Sequence, residues 1–234
     1  MSSEVTLALA HGAWADASSW GRVIDQVTAA GVRVVTVPLP LTSLTDDVAA
    51  LDHTLERETA PVVLAGHAYA GGVIQSTTSD NVRALVYIAA LAPGEGETVA
   101  DAVGRGTPHP KAPALTPDAH GLIWLPDDAF AGAFAHNASP QEQNRLRAVQ
   151  RPISVKCITT AVGRPLWMDR PSWYLVAEED RMIPAGNQHF FADRMGAEVR
   201  SEPVDHMLPL TAPNVVTEFL LRVVEKVGQE QPQG

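Results

Sequence analysis

The stretch "PVVLAGHAYAGGV", Pro61 to Val73, runs from an apolar segment into a turn of small residues and then into a segment of helical composition. An apolar run without a polar alternate face suits a strand covered on both sides, as in a parallel sheet flanked by helices. A strand that passes abruptly into a helix thrusts the central side chain of the turn upward and squeezes its flanks, so Gly66 and Ala70 need to be small. The central residue is Ala68. Taken alone, the segment reads equally well as an ordinary glycine-rich strand-to-helix turn, so its meaning depends on the rest of the chain.

Similar apolar runs recur near residues 5–10, 32–37, 83–89, 172–177 and 197–203, the last weakened by alternation and by Pro203. Helical stretches separate them. Ser18 or Ser19 is placed to cap a helix stopping at Gly31, and Thr45 to cap one that carries Val48, Leu51 and Leu55 on a single face. Val215, Val216, Phe219, Leu220, Val223, Val224 and Val227 give the last helix a wide apolar stripe, and the tail from Gly228 onward is expected to fray. The alternation predicts an α/β fold with a doubly wound, mostly parallel six-stranded sheet, for which 2-1-3-4-5-6 is a common strand order. Residues 93–170 interrupt it with many prolines and glycines and no clear strand, which is too long for a simple connection and reads as a helical cap inserted into a single domain over residues 1–234.

Composition narrows the function. With 17 Lys and Arg against 27 Asp and Glu, the net charge of −10 disfavours binding to nucleic acid or to anionic membranes. The single cysteine, Cys157, can form neither an internal disulfide nor a two-thiol metal or redox motif. The N-terminus carries no basic segment, and the run from Val5 to Ala10 is too short to span a membrane, so a cytoplasmic protein is expected. His11 and His67 lie near the turn but lack a third ligand at useful spacing, so no metal site is expected.

Three further segments fall at strand ends on the same side of such a sheet. "HGAW", His11 to Trp14, follows the first strand, and the loops after the first and third strands face each other across the point where strand order reverses. The amides of Ala13 and Tyr69 are then placed to converge on one oxygen as an oxyanion hole. "YLVAEEDRMIP" sets Asp180 after the fifth strand, and "VDHMLPL" sets His206 after the sixth, so that carboxylate and imidazole can meet above the sheet.

"HGAW", "GHAYAGG", "EDRMIP" and "DHMLPL" together resemble the α/β-hydrolase superfamily, and within it the small branch of plant methylesterases and hydroxynitrile lyases. The resemblance implies a nucleophile at position 68, an acid at Asp180, a base at His206, oxyanion donors at Ala13 and Tyr69, and no metal or organic cofactor. It departs from the family pattern at Ala70, where glycine is preferred, and at Ala68, because a methyl group cannot attack a carbonyl.

Three explanations of Ala68 are open: a Ser-to-Ala form of a working ester or lactone hydrolase, a natural lyase, cyclase or isomerase using His206 as general base, or a non-catalytic binding protein. Trp14, Trp124, Leu125, Phe130, Phe134 and Met207 are expected to wall the site, which favours a hydrophobic small-molecule ester or lactone as partner. The sequence does not give the oligomeric state; a homodimer is the assembly to consider.

Overall fold

The computed structural model describes residues 5–229. In chain order it contains β1 (Thr6–Ala10), α1 (Gly21–Ala29), β2 (Arg33–Val37), α2 (Leu44–Leu55), β3 (Val62–His67), α3 (Ala70–Ile74) and β4 (Val82–Ile88). The interrupting segment then contributes α4 (Val99–Val103), β5 (Leu122–Ile123), α5 (Asp127–Ala129), α6 (Pro140–Val149), β6 (Ile153–Ser154) and α7 (Val155–Thr159). The chain returns through β7 (Ser172–Ala177), α8 (Ala185–Met195), β8 (Glu198–Glu202), α9 (Leu208–Thr211) and α10 (Pro213–Gln229). Gly228 and Gln229, the start of the tail expected to fray, are thus helical, and residues 230–234 lie outside the described residues.

The main sheet has the order β2-β1-β3-β4-β7-β8 and every pairing in it is parallel. Its strands are apolar on both faces because both are covered. Leu7 and Leu9 pack with α1 and α10, whereas the intervening Ala8 and Ala10 pack with α2, α3 and α8. The exception is β8, an edge strand that alternates between half-buried and exposed positions, which accounts for its weak apolar signature; Pro203 falls just beyond its end.

Two helix starts differ from expectation. Asp16, rather than Ser18 or Ser19, accepts from the Ser18 amide at 2.8 Å and opens a 3-10 turn that feeds α1. Ser43, rather than Thr45, caps α2 by accepting from the Asp46 amide at 3.0 Å, which brings buried Leu44 into the first turn. The segment expected to lack strands holds a small antiparallel ribbon, with Leu122 opposite Ser154 and Ile123 opposite Ile153. Two-residue strands are too short to leave a period in the sequence. Among the described residues no helix is long and apolar enough to cross a membrane.

The turn between β3 and α3 leaves no room for side chains at its glycines. A Cβ on Gly71 would lie 2.2 Å from the Leu91 carbonyl oxygen and 2.9 Å from the Ala90 Cβ, and one on Gly66 would lie 2.9 Å from the Ala70 carbonyl oxygen. Gly71→Ala is therefore expected to lower stability by about 1–3 kcal/mol through overpacking against a main chain that has little room to move. Gly186→Ala, with nothing within 4 Å of its added methyl, should be neutral or stabilising. Urea midpoints of the two variants would check this, and equal midpoints would contradict the packing argument.

Candidate active site

Ala68 occupies the turn with φ +51°, a left-handed conformation that costs a non-glycine residue about 1–2 kcal/mol. Packing and main-chain bonds hold it there, among them one from the Gly71 amide to the Ala68 carbonyl at 3.2 Å. Its amide donates to the Ile88 carbonyl at 3.3 Å, and its own carbonyl accepts from the Leu91 amide at 3.0 Å, tying the turn to the end of β4. The first-strand loop lies directly against it: a Cβ on Gly12 would sit 2.9 Å from that of Ala68. Among the described residues the amides of Ala13 and Tyr69 donate to no acceptor.

Asp180 and His206 meet as their places at successive strand ends require. His206 Nδ1 lies 2.8 Å from Asp180 Oδ2, and both side chains are buried. The carboxylate also accepts from the amides of Met182 and Ile183 at 2.7 and 2.9 Å and from Gln188 Nε2 at 2.9 Å. Four donors around one carboxylate offset the loss of its hydration and fix which ring nitrogen of His206 carries the proton. His206 Nε2 then remains as the acceptor, and His206 lines a cavity together with Ala13, Ala68 and Tyr69. An imidazole held this way can take a proton from a group lodged in the cavity.

The histidine loop is pinned from several sides. His67 Nε2 donates to the His206 carbonyl at 2.7 Å, and the two rings lie 4.8 Å apart. Asp205 accepts from the Asn137 amide at 2.9 Å and from the Thr211 hydroxyl at 2.5 Å, joining the loop to the cap and to α9. Beneath the cavity, Tyr69 donates its phenol to Asp47 at 2.6 Å, and Asp47 also accepts from the Leu41 amide at 2.7 Å. Burial pushes the Asp47 carboxyl above the ordinary range, and burial also pushes the neighbouring Cys157 thiol up to about 12. Cys157 is thus an unreactive packing thiol.

The cavity encloses about 310 Å³ and its wall is almost wholly apolar, with Leu91, Val99, Ile123, Ile153 and Ile183 among its residues. Of the residues expected to wall it, Trp14 does so. Leu125, Phe130, Phe134 and Met207 instead form a separate cluster that fastens the cap to the body, and Trp124 is 47% exposed with its indole directed to Asp118. Their bulk serves packing: Phe134 stands edge-on to Trp14 and 5.4 Å from the His206 ring, behind the site rather than in it. Val99, Val103, Leu115, Ile153 and Ile158 line the cavity without having been singled out, since isolated aliphatic residues in an aperiodic segment carry no signal. Gln188, Asp47 and Asp205 were also missed; only Asp47, in register with Leu44, Leu51 and Leu55 on the inner face of α2, carried one. Among the described residues no group of three or more His, Cys, Asp and Glu is arranged to hold a metal ion.

A model described as the alpha/beta hydrolase family matches residues 7–219. The chain belongs to the alpha/beta hydrolase family. A search of curated proteins finds no match. Among solved structures, this α/β-hydrolase is similar to polyneuridine aldehyde esterase, at a TM-score of 0.81 and 19% identity over 93% of this chain and 98% of that one. It is similar to a methylesterase from Arabidopsis at 0.77 and 17%, over 94% and 99% of the two chains. A pyrethroid hydrolase from Sphingobium faniae JZ-2 follows at 0.78 and 20%, over 94% and 98%. At these identities the likeness speaks for the fold.

The two buried histidines near the turn, His67 and His11, are expected to make the α/β-hydrolase sensitive to acid. Burial holds His67 well below the ordinary imidazole value of 6.5, with the adjacent His206 adding to the effect, and burial lowers His11 as well. The unfolded chain therefore binds protons below about pH 6.5 that the folded chain refuses, so these groups contribute stability above that pH and lose it as pH falls. Asp47, shifted upward, has the opposite slope. Urea midpoints measured from about pH 7 to about pH 5 should fall less steeply in His67→Gln than in the parent. Parallel curves would show that His67 carries no such linkage.

Proposed function

We propose that the chain is an α/β-hydrolase built to bind a neutral, hydrophobic ester or lactone and to attack it by Ser-His-Asp chemistry, with the covalent route closed by Ala68. The observation that carries this reading is the meeting of the Asp180–His206 pair, two amides without acceptors and a left-handed turn at Ala68 around one apolar cavity. In this scheme the substrate carbonyl oxygen faces the Ala13 and Tyr69 amides, where donors fixed in advance stabilise charge as it develops. His206 takes the proton of an attacking hydroxyl while Asp180 steadies the resulting imidazolium. With alanine at position 68 no hydroxyl is supplied by the protein, and binding plus the oxyanion donors are what remain.

The wall chemistry supports the substrate class. Apart from His206, its side chains offer no free charge or hydrogen-bonding group, so sugars, peptides and phosphate esters would lose hydration there without compensation. Trp14 and the aliphatic wall favour an aromatic or branched acyl or alcohol portion.

Ala68→Ser tests this reading. The variant is expected to hydrolyse an activated aryl ester at least about a thousandfold faster than the parent, with a burst of product marking an acyl-enzyme, and to lose that gain when His206→Ala is added. An inert, folded Ala68→Ser chain would overturn it. If neither chain turned over but an ester bound tightly, the site would be a receptor pocket.

A further inference from the structure

The cavity's polar side chains are already bonded, with one exception. The Trp14 indole donates to the Ile123 carbonyl at 2.9 Å, and the Tyr69 phenol donates to Asp47 at 2.6 Å. His206 uses Nδ1 on Asp180, while its Nε2 has no partner among the described residues. A bound molecule therefore meets one proton acceptor, the two amides of Ala13 and Tyr69, and otherwise hydrocarbon. Two donors call for an oxygen that gains negative charge, and a lone acceptor beside them calls for a hydrogen close to that oxygen. A carbonyl with a hydrogen on the neighbouring carbon satisfies both.

We propose that the chain, with Ala68 as it stands, catalyses proton transfer at the carbon adjacent to the carbonyl of a neutral, apolar ketone. The C–H bond breaks and its proton passes to His206 Nε2. The bonding pair moves into the carbon–carbon bond of an enolate, whose oxygen carries the negative charge toward the Ala13 and Tyr69 amides. The imidazolium, stabilised by Asp180, exchanges its Nε2 proton with solvent water and then delivers a solvent-derived proton to the same carbon. Atoms and charges balance without an oxidant, a cofactor or a nucleophile. Ala68 has a positive role in this scheme: a hydroxyl at that position would donate to Nε2 and occupy the acceptor, whereas a methyl leaves it to the ligand. His67 favours the step too, because as a neutral ring it sets no second positive charge beside the imidazolium. The cavity of about 310 Å³, roughly ten water volumes, suits a ketone the size of a monoterpenoid. This inference uses the same pocket as the ester reading but does not require acyl transfer.

Deuterium uptake tests it. Menthone is incubated with the parent chain in heavy water, and the hydrogens next to the carbonyl are followed by NMR. Exchange about a hundredfold above buffer is expected, with loss of the effect in His206→Gln and in Asp180→Asn. A base fixed on one side of the ligand must also remove one of the two hydrogens of the ring methylene in preference to the other, a selectivity that disappears in those variants and is readable in the parent alone should either variant fail to fold. Saturable menthone binding without exchange would overturn the proposal, and so would absence of binding. Exchange by a chain whose Ala68→Ser variant lacks esterase activity would remove the ester reading and leave this one, while an esterase burst in Ala68→Ser with no exchange in the parent would do the reverse.

Discussion

The left-handed main chain at Ala68 is maintained by crowding around the crossing of β3, α3 and the segment after β4. Gly71 leaves no space for a methyl against the Leu91 carbonyl, and that segment in turn bonds its Leu91 amide back to the Ala68 carbonyl. The turn is thus set by its neighbours and not by the side chain it presents. The Ala68 methyl makes no hydrogen bond in the clamp, so the φ of +51° is held by the main chain around it, with the Gly12 loop in contact. The strain, about 1–2 kcal/mol, is borne by a backbone that the sheet and its helices overdetermine.

The same constraint explains why the polar parts of the site are internally consistent. Asp180, His206 and His67 come from three different strand ends, and each is buried at a point where an unpaired polar atom would be costly. The cost is met by a chain of bonds: Gln188 and two amides hold Asp180, Asp180 holds His206, and His67 holds the His206 carbonyl. His67 Nδ1 is the point where satisfaction fails, since it has no partner. Because Nε2 must donate to the His206 carbonyl, Nδ1 carries a lone pair facing no donor, and the ring stays neutral because protonation there would create a buried cation with nothing to receive its new hydrogen.

Much of this was legible in the sequence, and the limits have physical causes. Parallel strands covered on both sides announce themselves as short apolar runs, and side chains at strand ends on one side of a sheet are brought together by topology alone, which is why Asp180 and His206 can be paired without coordinates. Tyr69 lines the cavity while its phenol is bonded to Asp47, an arrangement the sequence did not separate. The cap was visible only as an interruption. Its ribbon is two residues long, its helices α4, α5 and α7 are one turn or so, and bulky residues such as Phe130 advertise burial without saying against what.

That last ambiguity resolves into a division of labour. Phe130 and Phe134 of the cap meet Met207, Leu125 and Leu146 in one cluster, and Phe134 also packs against the His206 ring. The cap's share of the cavity wall is built instead from small and branched aliphatic residues of α4, β5, β6 and α7, such as Val99, Ile123, Ile153 and Ile158. Within the cap, anchoring and cavity lining therefore rest largely on different side chains. Changing the volume at Val99 or Ile158 alters the cavity without loosening the Phe130–Phe134–Met207 anchor, whereas truncating Phe134 removes a ring that packs against both Trp14 and His206. Substitution of the cap aliphatics would reshape the cavity while the Asp180–His206 geometry stays fixed, because Val99, Ile123, Ile153 and Ile158 make none of the hydrogen bonds that hold Asp180 or the His206 ring.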